Sequence, residues 1–114
     1  MATDCLFCKI IAGDIPATVV YRDEQVIAIR DINPMAPVHL LVLPIRHIAS
    51  VEDAQATDAG LLGALSLTAA RLAREAKLDN GYRLVINTGP DGGQSVAHLH
   101  QHLIGGRAMR WPSG

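Results

Sequence analysis

Three histidines at alternate positions, His98, His100 and His102, constrain the fold of this chain more than any other feature. The segment from Val96 to Ile104 that holds them is largely apolar and follows a run rich in turn residues, a pattern that predicts a β-strand. Because successive side chains of a strand point to opposite faces, the three rings would share one face at spacings of ~6.6 Å. Core packing readily explains one such histidine but not three in register, so the row predicts a functional site.

The remaining hydrophobic pattern predicts an antiparallel α+β domain of about five strands, with one long and one short helix. Connections between the strands are short, which favours an antiparallel sheet over repeated strand–helix–strand units. Leu67 lies off the buried stripe of the long helix, which indicates a second apolar face that a dimer would cover. The predicted helices span 4–12, capped by Asp4, and 57–78, capped by Thr57, and the other predicted strands span 19–22, 25–31, 39–43 and 82–87.

Composition argues against several classes of protein. The length of 114 residues fits one domain, and the formal net charge of -1 comes from scattered acids and bases rather than from a basic patch. We therefore expect no nucleic-acid partner and no anionic membrane surface. The N-terminus lacks the pattern of a signal peptide, and no apolar stretch reaches the ~20 residues of a spanning helix. A cytoplasmic protein is expected.

The two cysteines, Cys5 and Cys8, are spaced as a Cys-x-x-Cys pair. Such a pair is either redox-active or half of a metal site. The alternative is that both are small apolar side chains that pack in a core, because free cysteine buries well.

Two chemistries suit the histidine row. One is metal binding, and the other is nucleophilic attack by a neutral imidazole nitrogen on phosphorus or carbon. The outer rings would stand ~13 Å apart, so one ion cannot take all three, whereas His100 can be flanked on both sides. The preceding segment from Gly92 to Ser95 offers flexible backbone and two polar side chains to an anion such as a phosphate.

The run from His98 to Ile104 resembles the His-φ-His-φ-His-φ-φ motif of the histidine triad (HIT) superfamily. The segment from Asp31 to His39, the corner from Asn87 to Gly89, and the tail from Gly105 to Pro112 resemble the Hint branch of that superfamily. Gln101 departs from the motif, which has an apolar residue there. The resemblance implies a HIT-like fold, with residues 1–114 as one domain, residues 105–114 as a C-terminal tail, and a homodimer whose sheets join into a larger one.

The resemblance also implies a role for individual residues. His100 is similar to the nucleophile, His98 helps to fix its ring, and His102 and His39 are similar to phosphate partners. Asp31 resembles the carboxylate that binds the ribose hydroxyls. The other implied nucleotide-binding residues are Phe7, Ile10, Ile29 and Ile32 around the base, Asn87, Gly93, Gln94 and Ser95 around the phosphate and leaving group, and Trp111, which the family brings toward the site across the dimer.

Some members of the family hold a structural zinc ion on two N-terminal cysteines, a mid-chain histidine and the first histidine of the triad. Cys5, Cys8, His47 and His98 match that pattern in this sequence. The resemblance therefore implies a structural zinc and no cofactor for catalysis.

The implied activity is hydrolysis of the P–N bond of purine nucleoside 5′-phosphoramidates, of the AMP-amine or aminoacyl-adenylate type, through a covalent nucleotidyl-histidine intermediate. Three alternatives stay open at this point. They are a purine-nucleotide-binding regulatory module, a dinucleoside polyphosphate hydrolase of the Fhit type, and a metallohydrolase that holds catalytic zinc on the histidine row.

Overall fold

The computed structural model describes residues 4–114. Two α-helices and five strands form the fold, and two short 3₁₀ turns precede the long helix. In chain order the elements are α1 (Leu6–Ile11), β1 (Val19–Arg22), β2 (Val26–Arg30), β3 (Val38–Pro44), α2 (Ala59–Glu75), β4 (Tyr82–Val85) and β5 (Gln101–Gly105).

The five strands form one antiparallel sheet in the order β1-β2-β3-β5-β4, as the short connections predict. The amphipathic α2 covers one face, where Leu65, Ala69 and Leu72 pack with Leu40 and Leu103 of the sheet. The short α1 lies on the other face, where Phe7 packs with a second apolar cluster of β2 and β3 side chains. The sheet therefore separates a thick core beneath α2 from a thinner one beneath α1, and the histidines lie on the α1 side.

The alternation predicted for the histidine segment is confirmed. Leu99 and Leu103 are buried in the core beneath α2, and Gln101 exchanges hydrogen bonds with Ser66 of α2 at 3.1–3.2 Å. The polar side chain of Gln101, which departs from the family motif, thus has a hydrogen-bonding partner on the helix. His98 and His100 both contact the ring of Phe7 on the opposite side.

The predicted length of the histidine strand is wrong, because β5 begins only at Gln101. In the antiparallel register Val42 pairs with Gln101, so continuing the ladder backwards would bring Leu99 opposite Pro44. Proline has no N–H to contribute to a ladder. The Leu99 N–H donates instead to the carbonyl of Ile48 at 2.7 Å. His98 and His100 therefore lie in an irregular segment that precedes the strand.

The ends of the helices also differ from the predictions. Cys5 rather than Asp4 occupies the N-cap of α1, where its Sγ accepts a hydrogen bond from the Cys8 N–H at 3.3 Å. The long helix is shorter than residues 57–78, because residues 56–58 form a 3₁₀ turn in which Gln55 and Asp58 make a capping box. The cap matters for the site, since it orients the Cys5 sulfur and joins it to the backbone of Cys8.

Two arginine side chains connect the C-terminal residues after β5 to the rest of the fold. The Arg83 guanidinium of β4 donates to the carbonyls of Arg110 and Ser113, and Arg107 Nε donates to the carbonyl of Met35 at 2.9 Å. Within residues 4–114 no helix is long and apolar enough to cross a membrane.

Candidate active site and metal centre

His100 is held in one tautomer by the backbone. Its Nδ1 lies 2.8 Å from the carbonyl oxygen of His98, which can only accept a hydrogen bond. The neutral ring therefore carries its proton on Nδ1 and keeps a lone pair on Nε2. The ring is 5% exposed and packs edge-on against Phe7, with 5.0 Å between the ring centroids. This arrangement fixes the orientation of the ring and leaves Nε2 as the nitrogen that could bond to a ligand atom.

His102 has the opposite tautomer, set by its neighbour His39. The Met35 N–H donates to Nδ1 of His39 at 3.0 Å, so the proton of His39 must lie on Nε2. That Nε2–H donates to Nδ1 of His102 at 2.9 Å, which leaves the proton of His102 on its own Nε2. The rings of His100 and His102 lie 5.1 Å apart between centroids. A nitrogen with a lone pair and a hydrogen-bond donor thus lie side by side in the histidine cluster, defined here as His39, His100 and His102.

The pKa of His102 agrees with this assignment. Burial, followed by the neighbouring His100 and His39, lowers the pKa of His102 to about 4. The ring is therefore neutral near pH 7, as acceptance of the His39 proton at Nδ1 requires.

Asp31 stands at the edge of the histidine cluster. One carboxylate oxygen lies 3.4 Å from Nε2 of His39, and the other accepts the Asn33 N–H at 2.8 Å in a turn. The carboxylate is thus oriented by a local bond and faces the histidines. It lies where a polar group of a bound ligand can reach it.

The loop before the histidines is built by its own side chains. The Gln94 amide accepts the Gly89 N–H and donates to the carbonyls of Ala49 and Val96, and the Asn87 amide donates to the carbonyl of Gly92. Position 92 requires glycine, because a Cβ there would lie 2.3 Å from the carbonyl oxygen of Thr88. Asn87 and Gln94 therefore shape the loop through its backbone, and their assignment as ligand contacts stays a prediction.

The other predicted nucleotide-binding residues occupy different environments. Gly93 adopts a left-handed backbone with φ of +77°, and the Ser95 side chain is exposed. Ile32 and Trp111 are 90% and 86% exposed, so neither is part of the packed core of one chain. Phe7, Ile29 and Ile10 pack together in the apolar cluster beneath α1.

Cys5, Cys8, His47 and His98, predicted as a metal set, converge on one point and are called the Cys–His cluster below. Nδ1 of His98 lies 3.3 Å from Sγ of Cys5, 3.5 Å from Sγ of Cys8 and 3.2 Å from Nδ1 of His47. The Cys8 Sγ lies 3.3 Å from Nδ1 of His47. In a tetrahedral zinc site with ordinary Zn–N and Zn–S bonds, two nitrogen ligands, or a nitrogen and a sulfur ligand, lie about 3.3–3.6 Å apart. The donor set and its spacing fit a closed zinc site.

The protonation of His98 also fits a metal ligand. Its Nε2 lies 2.8 Å from the carbonyl oxygen of Pro44, so Nε2 carries the proton and Nδ1 keeps the lone pair. Burial lowers the pKa of His98, and burial together with the adjacent Cys5 thiol raises the pKa of Cys8 to about 11. A cation would reverse the second shift, because metal-bound thiols ionise.

Three groups that orient the histidines have no signal in the motif. They are the carbonyl of Pro44, the N–H of Met35, and Arg107, which bonds the carbonyl of Met35 and holds that loop from the C-terminal tail. Two are backbone groups, a carbonyl that every residue has and an N–H that every residue except proline has. Only the isolated Arg107 in the glycine-rich tail offered a signal, and sequence alone gave it no partner.

Comparison with known proteins identifies the family. A model of the HIT domain matches residues 12–109. The chain belongs to the HIT family. It is 50% identical over 113 residues to a 14 kDa zinc-binding protein of Brassica juncea, a match that covers 97% of this chain and 100% of that protein.

Solved structures agree with the fold. A HIT family hydrolase from Legionella pneumophila superposes with a TM-score of 0.94 at 51% identity, covering 96% of this chain and 99% of that one. A zinc-bound histidine triad family protein from Mycobacterium smegmatis superposes with a TM-score of 0.81 at 35% identity, covering 94% of this chain and 78% of that one. The HIT fold predicted for this chain is therefore confirmed.

Proposed function

We propose that this protein hydrolyses the P–N bond of purine nucleoside 5′-phosphoramidates through a covalent intermediate on His100, as in the Hint branch of the family. The observation that carries the proposal is the pair of opposite tautomers in the histidine cluster. Nε2 of His100 has a lone pair for attack on phosphorus, and Nε2–H of His102 stands beside it as a donor to a phosphoryl oxygen. The hydrolase name of the Legionella neighbour supports the reaction class.

The reaction would proceed in two displacements. In the first, Nε2 of His100 bonds to the α-phosphorus while the P–N bond breaks and the amine departs with a proton taken from solvent. In the second, water attacks the same phosphorus and gives up a proton to solvent, the His100–phosphorus bond breaks, and the nucleoside monophosphate leaves. In both steps Nδ1–H of His100 keeps its hydrogen bond to the His98 carbonyl, which stabilises the positive charge on the His100 ring in the intermediate.

The substrate would lie across the α1 side of the sheet. Phe7, Ile10 and Ile29, which pack together beneath α1, would give an apolar wall to a purine, and the Asp31 carboxylate beside His39 would accept hydrogen bonds from ribose hydroxyls. The exposed Ser95 hydroxyl is free to approach the phosphate or leaving group. The Asn87–Gln94 network holds the intervening loop.

We also propose that the Cys–His cluster binds a structural zinc ion. Four N and S donors close the tetrahedron and leave no position for substrate, which is the arrangement of structural rather than catalytic sites. The zinc-binding name of the Brassica relative and the zinc-bound Mycobacterium structure support this assignment. No catalytic cofactor is required by the two displacements.

A homodimer is proposed from two exposed features. β4 is at the edge of the sheet, and Leu67, on the outer surface of α2, is 73% exposed. Pairing two β4 edges would join the sheets and bring the apolar outer faces of α2 together. Trp111, 86% exposed, would then have a surface to cover it. Sedimentation of wild type and Leu67→Lys tests this, with a shift toward monomer expected for the variant.

The activity is tested by trapping the intermediate. Adenosine 5′-phosphoramidate is mixed with the enzyme, the reaction is quenched in base, where phosphorus–nitrogen bonds to histidine persist, and the protein is analysed by mass spectrometry. We expect one adenylyl group on the peptide holding His100 in wild type and none in His100→Ala. AMP binding without an adduct or turnover would favour the regulatory module. Faster cleavage of diadenosine triphosphate than of the phosphoramidate would favour the Fhit type.

A further inference from the structure

His98 is shared by the two clusters. Its ring, fully buried, gives Nδ1 to the Cys–His cluster and Nε2–H to Pro44, while its carbonyl oxygen accepts Nδ1–H of His100. The bond that fixes the tautomer of the nucleophile is therefore made by a residue whose side chain belongs to the metal set. Because the buried ring is held by Pro44 and has little room for side-chain rotation, a displacement of the ring is passed to its backbone and so to this carbonyl.

The first turn of α1 is shared as well. Cys5 is the N-cap of this helix and Cys8 is its third residue, so both sulfurs come from the first turn. Phe7 lies between them, and its ring packs edge-on against His98 and His100 at 5.9 and 5.0 Å between centroids. A six-residue helix is not stable by itself and depends on its attachments. Anchoring the two sulfurs thus also anchors Phe7 against the nucleophile.

The lone pair of His98 in the Cys–His cluster has few strong donors near it. Its Nδ1 keeps this lone pair because Nε2–H is used on Pro44, and the groups beside it are the two thiols and Nδ1 of His47. The thiols satisfy the lone pair weakly, since S–H is a weak donor. A divalent cation would bind all four ligand atoms of the cluster at once. Its presence would therefore decide how firmly α1 and His98 are held.

We propose that zinc binding at the Cys–His cluster and nucleotide binding beside His100 are coupled, each strengthening the other through His98 and the first turn of α1. The nucleotide half of this inference rests on the proposed function. Linkage requires the coupling to be reciprocal, so zinc must raise AMP affinity by the same factor by which AMP raises zinc affinity.

The experiment measures binding rather than turnover. AMP is titrated by calorimetry into zinc-loaded wild type, into wild type freed of metal by a chelator, and into Cys8→Ser. We expect AMP to bind at least about fivefold more weakly to both metal-free proteins, within the usual range of allosteric couplings. Competition with a chromophoric chelator then gives zinc affinity with and without saturating AMP, and the same factor is expected.

Hydrogen exchange supplies an independent readout. The amides of Lys9 and Ala12, which bond to the carbonyls of Cys5 and Cys8, should exchange more slowly with zinc and most slowly with zinc and AMP together. Lys9→Ala, on the same helix but with no ligand atom in the cluster, is the matched control and should keep the full coupling. His47→Gln, at an exposed ligand, replaces Cys8→Ser if the latter does not fold.

The outcomes separate the two proposals. Equal AMP affinity in all metal states, with zinc affinity unchanged by AMP, would overturn the coupling and leave the proposed function standing. Failure of zinc-loaded wild type to bind AMP at all would overturn the proposed function, and the nucleotide half of the coupling with it.

Discussion

The Cys–His cluster and the histidine cluster lie on the same side of the sheet and meet in the segment from His98 to His102, yet their imidazoles are protonated differently. In the Cys–His cluster, the His98 lone pair points at the same small volume as His47 and two sulfurs. In the histidine cluster, His39 donates to His102, and lone pair and N–H alternate from ring to ring. Ligand atoms that converge on one point suit a cation. A lone pair beside an N–H donor suits attack on a phosphate, because the donor can bond to a phosphoryl oxygen.

The cause of this difference is the backbone rather than the side chains. Carbonyl oxygens of Pro44 and His98 fix the protons of His98 and His100 on opposite ring nitrogens, Nε2 and Nδ1 respectively. The N–H of Met35 fixes the tautomer of His39, and the Nε2–H of His39 in turn fixes the tautomer of His102. Identical residues at alternate positions thus acquire different chemistry from the main-chain groups that each one meets.

The largest effect is expected at His100, the proposed nucleophile. His100→Ala should lower kcat/KM for adenosine 5′-phosphoramidate by about 10³-fold or more, because no neighbouring group has the same free Nε2. Zinc content, measured by atomic emission, should stay at the wild-type value. A variant that keeps the parent rate would rule out His100 as the nucleophile.

Removing a ligand from the other cluster should affect stability before chemistry. With zinc at a thousand times its Kd, wild type should gain about 4 kcal/mol of unfolding free energy over the chelated protein. Cys8→Ser should lose this gain, as followed by urea denaturation with and without zinc. Equal stability of wild type with and without zinc would show that the cluster does not hold the ion.

A smaller effect is expected at the residue that sets the His102 tautomer. His39→Leu removes the donor to Nδ1 of His102 and should lower kcat about tenfold to 100-fold, the range for one hydrogen bond to a group in the site. His39→Gln, whose amide can donate from a similar position, should recover much of the loss. In ¹⁵N spectra the leucine variant should show a changed protonation pattern at His102, which a purely structural defect would not produce.

A further effect, on stability rather than on rate, concerns pH. The pKa of His102 is lowered to about 4 in the folded protein from 6.5 in the unfolded chain. Between these values the unfolded state binds more protons, so stability should rise from pH 4 to about pH 6.5 and then level off. His102→Asn should flatten this rise. Urea midpoints at pH 4.5 and pH 7, in a Cys8→Ser background that removes metal effects, measure it, and an unchanged slope would contradict the burial of this ring.

Much of the architecture follows from local pattern. Alternation placed Leu99, Gln101 and Leu103 on the face opposite the histidines, and the stripe containing Leu65 and Leu72 placed α2 over them. The boundaries were less predictable. Pro44 stops the ladder before His100, and whether it does so depends on a register between segments some sixty residues apart. No local pattern contains that register.

The sequence by itself determined which groups are available: three alternating histidines, His39 and His47 earlier in the chain, and a Cys-x-x-Cys pair near the N-terminus. Periodicity also determined that the triad shares one side of the sheet. Only the tertiary structure decided which nitrogen of each ring is protonated, because that depends on backbone groups of Pro44, Met35 and His98 brought together by folding. The proposed division of His98, His100 and His102 into metal ligand, nucleophile and donor therefore rests on hydrogen bonds that the motif does not contain.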